Sequence, residues 1–126
     1  MATLTTEQIH ILRRFAADEA ARTRQGRRWL ELLHAHQQEL FERYAASPAM
    51  RRHADQAASE AAAMIESLDI SHPRVIDDAA TAAVGAVLIE LDAQASSGLR
   101  GAAAEFGQDI EAARGKTIRQ ALGPAL

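Results

Sequence analysis

Residues Ala17–Trp29 read ADEAARTRQGRRW, and this stretch decides the fold. It interrupts what is otherwise one amphipathic pattern. Ile11, Leu12 and Phe15 precede it, and Trp29, Leu30, Leu33, Leu40, Phe41 and Tyr44 follow it. At about 100° per residue, both groups fall within one arc of roughly 120°. A turn at Gly26 would have no reason to preserve that phase. The shared phase therefore predicts a continuous helix over about 6–45, roughly 60 Å long at 1.5 Å per residue. The alternative is a break near Gln25-Gly26, giving five helices. On the continuous helix, Glu19, Arg22 and Gly26 face the side that should be buried. Glu19 and Arg22 are three apart and placed to pair. These three residues are therefore the candidate partner or ligand contact.

The start of that helix is well marked. Thr5 can cap, Gln8 completes a capping box, and Leu4 and Ile9 are spaced for a hydrophobic staple. Ser47-Pro48 reads as the N-cap and first position of a second helix, over about 48–68. Its stripe is Met50, Ala54, Ala57, Ala61, Met64, Ile65 and Leu68. A third helix is expected over about 73–97, with Asp77 and Asp78 near its positive end. Ser96-Ser97-Gly98 stops it. A fourth runs over about 99–122, on Leu99, Ala103, Phe106, Ile110, Ala113, Thr117 and Ala121, and Gly123-Pro124 ends it. No β pattern or repeat is found. The expectation is an all-α, four-helix bundle with a long first helix, forming one domain over 1–126.

Composition limits the chemistry. The chain has 126 residues, 48% of them apolar and only 4% aromatic. Much of the apolar share is alanine, which buries little surface per residue, so the core should be thin. There is no cysteine, which removes disulfides, thiolate catalysis and cysteine-based zinc sites together. The start, MATLTTEQIH, lacks the basic and apolar regions of a secretory signal. The longest low-polarity run, Ala79–Ile89, is too short to cross a bilayer. A cytoplasmic protein with no membrane partner is expected. Its alanine and arginine content suits a bacterial or phage type.

The net charge of −3 hides a pattern. Residues 1–52 carry nine Arg against six acids, residues 53–111 carry two Arg against eleven acids, and residues 112–126 carry three bases and no acid. Packed helices that neutralise one another would explain this. A basic face for nucleic acid or an acidic partner is the other explanation. Arg13, Arg14, Arg24, Arg27 and Arg28 form a stripe on the back of the first helix and are the candidate phosphate contacts. The stripe lacks the interleaved aromatics of a single-strand stacking surface.

Catalytic and metal motifs are sparse. Glu31-Leu-Leu-His34 has the Glu-x-x-His spacing of carboxylate-bridged di-iron bundles, but both residues point away from the apolar stripe. Asp69-Ile-Ser-His72 has the same spacing and lies across a helix break before Pro73. No metal and no cofactor is expected, and His34 and His36 are read as solvated. The Arg-x5-His spacing of Arg28 and His34 is similar to that of the helical HEPN ribonucleases. Here it falls in the first half of the chain rather than in a late helix, and the chain is not assigned to that family. No Gly-rich phosphate loop, nucleophile triad or carboxylate pair is found.

The third helix carries the most information about function. One stripe is Ile76, Ala80, Val84, Val87, Leu88, Leu91 and Ala95. The opposite side carries Val75, Ala79, Ala82, Ala86, Ile89 and Ala93. A surface helix of a monomer has one apolar face. Either this helix is central and covered on both sides, or its small-residue side packs on another subunit at short interaxial distance. Ala79, Ala82, Ala86, Ile89 and Ala93 are the candidate oligomer interface. The expected function is a non-enzymatic, homo-oligomeric interaction or assembly protein. A nucleic-acid binder using the Arg stripe, including an RNase, is the first alternative. A small-ligand- or metal-binding bundle is the second. The expected partners are the chain itself and another protein.

Overall fold

The computed structural model describes residues 4–126. The described residues are all-α, in seven helices: α1 Thr6–Asp18, α2 Arg24–Ala35, α3 Gln37–Ala46, α4 Pro48–Glu66, α5 Asp78–Gln94, α6 Ser97–Ala112 and α7 Ile118–Leu122. Two short 3-10 turns, Ala20–Arg22 and Ser67–Asp69, follow α1 and α4. The expected all-α class holds. The expected four-helix arrangement does not.

The largest correction falls on residues 6–45, which form three helices. The chain leaves α1 at Asp18, makes the turn Ala20–Arg22 and enters α2 through Thr23, which is extended at φ −115°, ψ 154°. The Thr23 hydroxyl donates to the Ala20 carbonyl at 3.0 Å and accepts the Gly26 N–H at 2.9 Å. A threonine hydroxyl that can bond its neighbours' backbone offers the chain an alternative to the helix, and here it ends one helix and caps the next. Gly26 sits in the first turn of α2, so it is a consequence of the break rather than its pivot. A Cβ on Gly26 would lie 2.0 Å from the Ala20 carbonyl oxygen, which only glycine avoids. The shared phase of the two halves was coincidence. A second break stands at His36, at φ −113°, ψ 14°. It involves neither proline nor glycine. Just beyond it, Glu39 accepts the Ser96 backbone N–H at 2.6 Å and the Ser96 hydroxyl, tying α3 to the start of α6. That bond joins positions far apart in sequence and leaves no local signature.

The other helix starts follow the capping rules. Thr5 and Gln8 form the reciprocal capping box on α1. Ser47 accepts the Met50 N–H at 3.1 Å, with Pro48 first in α4. The expected third helix is shorter than 73–97: α5 begins after Asp77, whose carboxylate accepts the Ala80 N–H at 2.9 Å. Ile76, placed on the helical stripe by its phase, lies in the preceding loop, where its N–H and carbonyl bond Lys116 and Gly115. It is only 2% exposed. The expected fourth helix, 99–122, is also divided. α6 ends at Ala112, and Gly115 takes φ +86°, a left-handed geometry that terminates helices. Thr117 and Gln120 then form a second capping box on α7.

The most extensive packing is between α4 and α5. α1 and α3 lie against α4, α6 against α5, and α7 against α2. Phe15, Ala20, Leu68 and Leu122 form one core cluster, joined by Trp29 and Leu30. Met64, Ile76, Ala80 and Ala113 form a second, and Met50, Leu91 and Leu99 a third. The core is divided and thin, as alanine content predicts.

Ion pairs occur both between these charge blocks and within them. Arg28 of α2 pairs with Glu105 of α6, Arg114 with Asp78, and Arg74 with Glu60 and Asp77. Arg119 of α7 pairs with Glu19. Among the described residues, Arg28 is the one arginine of residues 1–52 paired with an acid of the middle block, so the charge blocks are met only in part within the chain.

Candidate functional site

α5 is built from alanines behind a good cap, so its backbone forms a helix without help from bulky side chains. Ala80, Ala83 and Leu91 are buried against the rest of the fold. The opposite side is not covered. Ala79, Ala82, Ile89 and Ala93 are exposed and Ala86 is partly buried. Ile89 is 72% exposed, more than any other large apolar residue described. The spacing of these five positions is three, four, three, four. That alternation is the seam pattern by which two helices meet side by side. Small residues at four of the five positions let a second helix come close, and Ile89 projects from the fifth. The acidic flank at Asp78 is already neutralised by Arg114. On the other flank Asp92 shares a shallow hollow with Arg100, Leu88 and Ile89. The face is therefore an apolar strip of small residues from which Ile89 projects, edged by Asp78 and Asp92.

The other candidate residues are dispersed. Glu19 does not pair with Arg22. It accepts a bidentate pair from Arg119 at 2.8 and 3.0 Å. Bonding to Glu19 holds the Arg119 guanidinium above its ordinary range. Arg22 is exposed, and its carbonyl accepts the Leu126 N–H at 2.7 Å. Gly26 is buried in the turn it permits. With the continuous helix gone, the common inward face of these three is gone too.

The arginine stripe is split by the turn at Glu19–Thr23. Arg13 and Arg14 lie on α1, and Arg24, Arg27 and Arg28 on α2. Arg27 donates to the Ala21 carbonyl at 2.8 Å, and Arg28 is engaged by Glu105, with Asp109 at 3.7 Å. Arg13, Arg14 and Arg24 are exposed. Among the described residues, no group of three or more His, Asp or Glu side chains converges as a metal site requires. Glu31 and His34 are both exposed. No described helix is long and apolar enough to cross a membrane.

One feature was not anticipated. Leu33 and Phe41, assigned to the buried stripe, are 55% and 68% exposed and wall an open apolar groove. Sequence periodicity reports that a face is apolar, not that anything covers it. The stripe itself was the signal.

Compared with known proteins, the chain matches no family model, no curated protein and no solved structure.

Proposed function

We propose that the chain is a non-enzymatic assembly module that self-associates through the outer face of α5. The observation that supports this most is the uncovered seam Ala79, Ala82, Ala86, Ile89 and Ala93, apolar along its length and set on a helix whose other side packs against α4 and α6. An isologous contact needs one self-complementary strip, and here the exposed Ile89 must seat among the small residues of the other copy.

The test is the mass in solution, with and without a charge in the seam. Light scattering after size exclusion should give a dimer or larger at tens of micromolar (an estimated working range for modest affinity). Ala86→Glu should dissociate it while leaving the helical circular dichroism intact, because the charge enters water when the seam opens. A wild-type monomer removes the proposal. So does an Ala86→Glu variant that keeps the wild-type mass. A nucleic-acid role gains no comparable support, since Arg28 already serves an internal pair and the stripe it belonged to is divided.

A further inference from the structure

The apolar stripe of α2 and α3 does not close into a core but walls a two-part space. The outer part is a groove of about 810 Å³ between α2–α3 and α4, bordered by Leu33, Phe41, Tyr44, Met50 and Ala54. The inner part is a cavity of about 310 Å³ between α2, α5 and α6, bordered by Trp29, Val84, Leu88, Leu99 and Phe106. Leu30, Leu33, Leu40, Ala57 and Val87 border both, so the two spaces adjoin. Trp29 and Phe106 stand at the inner end in a T-shaped contact, 5.3 Å between ring centres.

Polar side chains are few, and two of the four are already engaged. The Trp29 indole N–H donates to Asp109 at 3.1 Å and the Tyr44 hydroxyl to Asp55 at 2.8 Å. The two others, His34 and Gln37, border only the outer groove.

We propose that this space binds a slender apolar molecule of the long-chain fatty acid class. Its tail runs inward to Trp29 and Phe106, and its polar end lies among His34 and Gln37 at the mouth. Both volumes fall in the range of small-molecule sites, which are mostly apolar with a few placed polar groups. The inner walls offer water almost no hydrogen-bond partner, so an apolar guest competes well there. Size decides between occupants. A helix with its side chains is about 10 Å across, so one turn fills roughly 400 Å³, more than the inner space of about 310 Å³ holds. A single polymethylene chain can enter both parts. The site uses Val84, Val87 and Leu88 of α5, not the seam residues, so it stands apart from self-association.

Trp29 is the chain's single tryptophan and borders the inner cavity, which makes it a direct reporter. The full chain is titrated with dibrominated stearate, whose bromines quench indole fluorescence on contact. Saturable quenching with a dissociation constant of about 10 µM or tighter, reversed by unbrominated stearate, is the expected result. Ala57→Leu narrows the junction of the two parts and Ala103→Leu fills the inner end. Each should weaken binding about tenfold or more while the fold's circular dichroism is kept. Absence of saturable quenching in the wild type overturns the proposal, as does quenching that both filling variants leave unchanged. Phe41→Asp should leave the wild-type mass in solution unaltered. If it dissociates an assembly instead, the groove is a subunit interface and the proposal fails.

Discussion

Replacing Gly26 by alanine separates the turn from the continuous helix by the sign of its effect. In an uninterrupted helix, Gly→Ala stabilises by about 1 kcal/mol, because glycine is the poorer helix former. In the observed turn the same methyl meets backbone. Its position lies 2.0 Å from the Ala20 carbonyl oxygen, 2.6 Å from the carbonyl carbon and 2.7 Å from the Thr23 hydroxyl. None of these is the free end of a flexible side chain, so the turn itself must open. Overpacking of this kind costs about 1–3 kcal/mol, and loss of the Thr23 cap adds about 1 kcal/mol. After the propensity gain, a net loss of about 2 kcal/mol is expected. For a chain of this size that corresponds to a fall in melting temperature of about 8 °C. Thermal unfolding by circular dichroism, at matched protein concentration, reads it. A variant that melts at or above the wild-type temperature would refute the turn and restore the continuous helix.

Further outcomes follow from the polar contacts. Thr23→Val removes a buried hydroxyl that both donates and accepts, and it should cost about 1–2 kcal/mol in denaturant unfolding. Breaking the Glu19–Arg119 pair by Arg119→Met should cost well under 1 kcal/mol, since both side chains are more than a third exposed, and the loss should shrink at high salt. Hydrogen bonds from Ser96 hold the Glu39 carboxyl below its ordinary range, and the Ala80 N–H does the same for Asp77. A carboxyl depressed in the fold contributes stability above its unfolded pKa of about 4 and loses it as pH falls through the folded value. Acid titration of stability should therefore show a decline beginning near pH 4, reduced in the Glu39→Gln, Asp77→Asn double variant.

What the sequence made legible was chemistry confined to a few neighbouring residues. Thr5 with Gln8, and Ser47 with Pro48, mark helix starts because a cap and its acceptor lie within one turn. The same logic was present at Thr23 and Gly26, three apart, but the apolar phase on either side outweighed it. Phase is a weak arbiter across a short turn, because a few residues of irregular chain can restore it by chance. The division of the expected fourth helix was also written locally, in Gly115, and was overridden by the stripe running through it. The break at His36 was not legible, because no proline, glycine or side-chain cap marks it. The two-sided character of α5 was visible from Ala79, Ala82, Ala86, Ile89 and Ala93. Which side would be covered depended on where α4 and α6 pack, and no local pattern states that. The open groove at Leu33 and Phe41 was hidden for the same reason.

The central claim is that α5 meets its own copy along one strip, and a cysteine placed in that strip tests it most directly. The chain has no native cysteine, so any disulfide formed reports the introduced site alone. Ala86 is the midpoint of the seam. In a two-fold contact using the whole strip it faces its own copy whether the helices run parallel or antiparallel. A disulfide needs Cβ atoms within about 4.5 Å, which a seam of small residues permits. Ala86→Cys under mild oxidation should yield a covalent dimer of unchanged helix content, while Gln38→Cys on the exposed part of α3 should not. An Ala86→Cys chain that stays uncrosslinked, or crosslinks no faster than the Gln38→Cys control, would contradict the account.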